Sequence, residues 1–230
     1  MTAPIVTNDL CKTYGESALA VHAVVDATLS FQEGEMVGLF GPSGSGKTTL
    51  LSMIGCLLKP NGGTLSLYGH DVAGQRESAL SALRKQYISF IFQGFNLFPA
   101  LTAFENVMLG LYVKGERSAS AERQARKIID EVGLADRSDF LPRDLSGGQK
   151  QRVSVARALA TSSPIILADE PTANLDLENG RKIMEMLHSL AKRQNKCVIV
   201  ATHDNRIWNA FDRILLMEDG KIERKLTRKS

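Results

Sequence analysis

The sequence predicts an α/β protein with a mainly parallel sheet, joined by an antiparallel β unit and a helical unit. Three observations predict it. Short apolar runs alternate with segments of helical periodicity, as in a parallel sheet covered on both faces. Val21, Ala23, Val25, Ala27 and Leu29 recur at every second position, the pattern of a half-buried strand. From about Gly94 to Leu145 the strand-like runs stop and only helical spacing is left.

In chain order, Pro4-Ile5-Val6 and Ala20 to Phe31 are β-rich, and Gly34-Glu35 turns the chain into a short buried strand, Met36 to Phe40. Lys47 to Leu58 is helical. Gly62-Gly63 leads into the alternating Thr64 to Tyr68, and Ile88 to Phe92 is another buried strand. Phe104 to Tyr112 and Ala119 to Val132 are helices, the second with Ile128, Ile129 and Val132 on one face. A helix follows Gly148 to about Thr161, then a strand from Pro164 to Asp169, a helix from Glu178 to Gln194 and a strand from Cys197 to Ala201. Ile214 to Met217 and Lys221 to Leu226 close the chain as a hairpin through Asp219-Gly220. The expected organisation is one domain, 1–230. Within it, 1–93 and 146–230 form a catalytic core with the antiparallel unit, and about 94–145 a helical subdomain.

Bulk properties narrow the class. A chain of 230 residues that is 43% hydrophobic and 23% charged is an ordinary globular protein. Its longest apolar candidate, Leu50 to Leu58, is too short to cross a bilayer, and Met1-Thr2-Ala3-Pro4 shows no secretory signal. The expectation is a cytosolic chain, or one attached to a membrane through another subunit. Cys11, Cys56 and Cys197 are odd in number and lack metal-ligand spacing, so they read as buried free thiols. A net charge of +3 is too mild to imply nucleic acid. The basic run Lys221 to Lys229 reads as a solvated strand and tail, with weak attraction to anionic lipid as the other reading.

The chemistry begins at Gly41-Pro42-Ser43-Gly44-Ser45-Gly46-Lys47-Thr48, a complete G-x-x-x-x-G-K-[ST] phosphate loop between a strand and a helix. Gly41, Gly44 and Gly46 let backbone N–H groups curl around phosphate oxygens, and the helix N-terminus points its positive end at the same anion. Lys47 adds a charge on the β- and γ-phosphates, Thr48 offers a hydroxyl to Mg²⁺, and Thr49 continues the nucleotide-binding turn. Asp169, at the end of an apolar strand, stands where a ligand of the magnesium shell belongs, and Glu170 is placed to polarise the attacking water. His203 follows another central strand and is expected to bond the γ-phosphate. Gln93 ends a strand within reach of Mg²⁺ or the water, and Tyr14 offers a flat ring to an adenine. Those last two signals are weak alone. His22, His70 and His188 have no such setting and are left structural.

Together with Leu145-Ser146-Gly147-Gly148-Gln149, these residues resemble the ATP-binding subunit of an ABC transporter, over essentially the whole chain. The resemblance implies a RecA-like P-loop NTPase core that binds and hydrolyses ATP with Mg²⁺. It makes Tyr14 the adenine-stacking aromatic, Gly41 to Thr48 Walker A, Gln93 the Q-loop glutamine and Ile165 to Asp169 with Glu170 Walker B and its catalytic glutamate. Asn174-Leu175-Asp176 is then the D-loop, His203 the switch histidine and Leu145 to Gln149 the signature motif. It further implies a head-to-tail homodimer in which Ser146, Gly147, Gly148 and Gln149 cap the ATP of the partner. The stretch from Gln93 to Val107, with Gly55-Cys56-Leu57, is similar to the MacB, LolD and DevA-type exporter and lipoprotein-release subgroup. Lys150, where many relatives carry a second glutamine, is a small departure.

That subgroup implies a transmembrane permease, expected here as a separate polypeptide because this sequence, unlike MacB, shows no fused transmembrane part; it also implies a peripheral position on the cytoplasmic face of the inner membrane and, as an optional partner, a membrane-fusion protein. Phe95, Leu97, Phe98 and Leu101 are expected near the groove for a permease helix, with packing of the helical unit as the other reading. An importer subunit is the runner-up. A non-transport cassette is a further alternative, against which stand the lack of a heptad insertion and the presence of one ATPase unit.

Overall fold

A computed structural model describes residues 3–227; Arg228 and Lys229 of the basic C-terminal run, and Met1-Thr2 at the other end, lie outside the described residues. Two sheets form the frame. The first takes β1 (Ile5–Tyr14), β2 (Val21–Phe31), β4 (Gly62–Leu67) and β5 (His70–Asp71) in the order β2-β1-β4-β5, all antiparallel. The second contains β3 (Met36–Phe40), β6 (Ile88–Ile91), β7 (Ile165–Asp169), β8 (Cys197–Thr202), β9 (Arg213–Glu218) and β10 (Lys221–Thr227). Its order is β10-β9-β3-β8-β7-β6, with parallel pairing everywhere except between β9 and β10. The β9–β10 turn runs through Asp219 (φ 44°) and Gly220 (φ 80°), the paired left-handed residues that a two-residue hairpin requires.

Every residue of β3, β7 and β8 is buried, because successive side chains enter opposite layers. Cys197, Ile199 and Ala201 of β8 face a core shared with the antiparallel sheet and α1 (Lys47–Ile54), where Leu50, Leu51 and Ile54 pack. Val198 and Val200 face the opposite core, closed by Ile183 and Leu187 of α6 (Leu177–Gln194). Each valine, leucine or isoleucine among them contributes about 1.5–3 kcal/mol by leaving water. A third cluster unites α3 (Ala103–Lys114), α4 (Ala119–Glu131) and one side of α5 (Gly147–Ala160). Val153, Ala156 and Ala160 of α5 belong to this cluster, while Val155 and Ala158 join the core beneath the sheet.

The differences from the sequence reading are local. α1 stops at Ile54 rather than Leu58, because Cys56 adopts φ 54° and the Leu57 and Leu58 amides turn back to the Ser52 carbonyl. Cys56 therefore sits in a turn. Cys11 is only half-buried, although all three thiols are free. β1 runs through to Tyr14, with an irregularity between Asn8 and Cys11 where Asp9 has φ 46°. An extra helix, α2 (Glu77–Tyr87), precedes β6.

Candidate nucleotide site

Parallel pairing sets the strand ends level. Phe40 lies opposite Thr202, Asp169 opposite Ala201 and Ile91 opposite Ala168. The residues that follow therefore emerge along one edge, where ligands of open α/β sheets bind. A cleft of about 270 Å³ opens there. Ser43, Gly44, Gly46, Lys47, Thr48 and Thr49 line one wall, Gln93, Glu170 and His203 another, and Ala23 of β2 closes a side.

Two glycines hold the phosphate loop in shapes that side chains resist. Gly46 has φ 101°, and a Cβ there would stand 2.0 Å from the Ala23 carbonyl oxygen. A Cβ on Gly41 would stand 2.1 Å from the carbonyl oxygen of Met217. Gly46 begins α1 without a side-chain cap, so the first-turn N–H groups have no competing acceptor from that residue. The buried Ser45 hydroxyl has no partner among the described residues. Lys47 is buried, and its Nζ donates to the carbonyls of Gly41 and Pro42 at 2.8 Å each. Burial lowers its pKa against the opposing pull of Glu170 and Asp169.

The carboxylates stand beside this loop. Thr48 Oγ1 donates to Asp169 Oδ1 at 3.1 Å. Burial raises the Asp169 pKa; the Thr48 hydrogen bond and Lys47 pull it down, and Glu170 adds to the rise. Glu170 has φ 47°, and its N–H donates to Ala201 O at 2.8 Å. Both its oxygens are engaged: Thr202 Oγ1 donates to Oε2 at 3.1 Å, and His203 Nδ1 lies 2.7 Å from Oε1. A hydrogen bond from Nδ1 to a carboxylate leaves Nε2 of a neutral imidazole as an acceptor, and a protonated ring donates from both nitrogens.

The remaining expected residues divide. Gln93 faces the cleft, and its carbonyl accepts from Asn174 Nδ2 at 3.3 Å. Tyr14 ends β1, 44% exposed, with Lys12 Nζ 5.5 Å from its ring centroid; it does not line the cleft itself. Ser146, Gly147, Gly148 and Gln149 also lie outside the lining. They open α5 as a capping box: Gln149 N–H donates to Ser146 Oγ at 3.3 Å, and Ser146 N–H to Gln149 Oε1 at 2.8 Å. A Cβ on Gly148 would meet Asn179 Cγ at 2.8 Å, so this glycine is needed for packing α5 on α6.

Sequence reasoning missed Ala23, Thr202 and Asn179. Ala23 comes from a distant strand with no local signal. Thr202 could have been found as the residue between a buried strand and His203. Of the four apolar residues expected beside a permease groove, Phe98 lines a groove outside the nucleotide cleft, and Leu97 packs on the helical cluster.

A family model described as ABC transporter matches residues 24–173. The macrolide export ATP-binding/permease protein MacB of Brucella melitensis is 42% identical over 221 residues, which cover 96% of this chain and 34% of that protein. This chain thus spans about a third of the length of its MacB relatives. The uncharacterized ABC transporter ATP-binding protein MJ0796 of Methanocaldococcus jannaschii is 40% identical over 225 residues, with 96% of each chain covered. The solved dimer of MJ0796 in a post-hydrolysis state, bound to ADP and Pi, superposes with a TM-score of 0.92 at 39% identity, covering 98% of this chain and 99% of that one. Core, motifs and relatives agree: the chain belongs to the ABC transporter family, as its ATPase cassette.

Proposed function

We propose that this chain is the motor of an exporter or membrane-extraction complex, working as a homodimer under permease subunits at the cytoplasmic face of the inner membrane. One observation carries the reading. The α1 N-terminus shares a cleft with Glu170 and His203, whereas the Ser146 end of α5 lies outside that cleft. A second copy packed head to tail would lay its Ser146, Gly147, Gly148 and Gln149 over the first copy's nucleotide. Each ATP would then be held by both chains. MJ0796 has been solved as a dimer, which supports the pairing.

Within each site, the phosphate-loop amides and Lys47 hold the β- and γ-phosphates, and Tyr14 stacks on the adenine. Glu170 polarises the attacking water as general base. With Nδ1 held by Glu170, a protonated His203 ring has Nε2–H left to donate to the γ-phosphate. The residues also fit Mg²⁺: the Thr48 hydroxyl and Asp169 carboxylate converge at 3.1 Å, and the Gln93 amide lines the same cleft. All three offer hard oxygen donors. Among the described residues no three His, Cys, Asp or Glu are grouped to hold a metal alone, which suits an ion completing its shell with phosphate and water. The ion would neutralise charge on the transferred phosphate.

Closure on ATP and reopening after hydrolysis would drive the permease. Among the described residues no helix is long and apolar enough to cross a membrane. Export, rather than import, is favoured by the Gln93 to Val107 stretch and by the likeness to MacB over 96% of the chain. The domain division at about 94–145 belongs to this reading, with the helical unit as the part that meets the permease. A membrane-fusion protein is an expectation of the subgroup alone.

Glu170→Gln tests the motor: it should bind ATP, lose turnover by at least about a hundredfold and accumulate as a nucleotide-bound dimer on size exclusion. Hydrolysis at the parent rate, or full-rate hydrolysis by parent protein diluted to monomer, overturns the assignment. A neighbouring gene for a four-helix permease with a large periplasmic domain would support export; a six-helix importer permease would overturn it.

A further inference from the structure

Outside the nucleotide cleft, a groove of about 360 Å³ runs between edge strand β6, α3 and α5. Its walls are mainly apolar. Phe90 and Phe92 stack at 4.3 Å, and Phe98 and Val113 are 56% and 53% exposed. One charged side chain lines it, Arg157 of α5. The guanidinium donates to Asn96 O at 2.6 Å and Phe95 O at 3.1 Å, the carbonyls of two consecutive residues with φ 47° and φ 62°. Those bonds leave other guanidinium N–H groups to spare.

Among the described residues no carboxylate pairs with Arg157, and burial lowers its pKa with no acidic group opposing the shift. Lys114, next to Val113, reaches the carbonyls of Lys85 and Gln86 just before β6, and the buried Lys196 interacts unfavourably with Lys114. A half-buried cation without a counter-charge on an apolar wall is poorly compensated, and a carboxylate delivered from outside would offset it.

Resting on the reading that this groove seats a permease helix, we propose that the helix it accepts is acidic as well as apolar. An Asp or Glu beside an apolar stripe pairs with Arg157, while the stripe covers Phe98, Phe90 and Val113. Arg157 thereby sets partner specificity, in addition to holding the segment after Gln93.

The test screens the chain against a displayed library of helical peptides that share an apolar stripe and vary elsewhere. Selected peptides should carry Asp or Glu at one fixed place beside the stripe, and exchanging it for the amide should weaken binding about tenfold. Arg157→Gln should erase that acid-over-amide difference, and Arg157→Lys, which keeps the charge, should retain part of it. Binders that need Phe98 but show no acidic position, or a preference that survives Arg157→Gln, overturn the inference while leaving the docking reading intact. Binding indifferent to Phe98→Ser sinks both.

Discussion

α1 and α5 both open in glycine-rich sequence, and their glycines do different things. In the phosphate loop, Gly44 and Gly46 take φ 84° and φ 101°, and no side chain caps the helix they lead into. In α5 neither Gly147 nor Gly148 has left-handed φ; Ser146 and Gln149 close on each other, and Gly148 makes room for Asn179. One helix end is bare above a cleft, and the other has its Gln149 amide taken by a side chain of its own, Ser146. The bare end leaves its first-turn amides without a side-chain acceptor from its N-cap residue in a single copy. The capped end still has something to give: Ser146 Oγ accepts from Gln149, so its hydroxyl hydrogen can be donated to a phosphate from a partner.

A methyl added at each helix end should act in opposite ways. Gly46→Ala places Cβ on the Ala23 carbonyl at an unfavourable φ, and should lower monomer ATP affinity by at least about a hundredfold. Gly148→Ala presses on the Asn179 side chain and should cost about 1–3 kcal/mol of stability in denaturant melts while ATP affinity is kept. Equal nucleotide binding by the two variants would remove the distinction. A smaller effect should follow Ser146→Arg, with monomer affinity within about twofold of the parent but turnover at dimer-forming concentration down at least about tenfold. Loss of monomer affinity would mean that this serine serves its own cleft.

The smallest effect concerns Asp169. Burial raises its pKa, so the ionised carboxylate is the costly form in the folded chain, and the cost grows as pH rises through the folded pKa. Asp169→Asn should therefore raise the melting temperature of nucleotide-free protein by about 2–4 °C near pH 8. The gain should vanish below the carboxyl's unfolded pKa. A gain that persists under acid would point to a packing effect.

The central sheet was legible because β3, β7 and β8 are short apolar runs with both faces covered, and loop and hairpin residues punctuate them. α2 was not, since Leu80 is its one fully buried residue; the spacing Leu80, Leu83, Tyr87 was the available signal. The irregularity at Asp9 broke the alternation that would have extended β1. At the site, Lys47, Asp169, Glu170 and His203 could be read because each follows or ends a strand whose parallel register brings it to one edge. Contacts made between elements distant in sequence, such as Ala23 against Gly46 or Arg157 against Asn96, carry no local pattern.

α5 packs into two separate apolar layers, through Val153, Ala156 and Ala160 on one side and Val155 and Ala158 on the other. Peeling the α3–α4 layer away would bare one flank of this helix to water and leave the other docked. The helix that bears Ser146 thus works as a common spine, and thermal loosening of either layer carries the apolar cost of wetting one of its flanks.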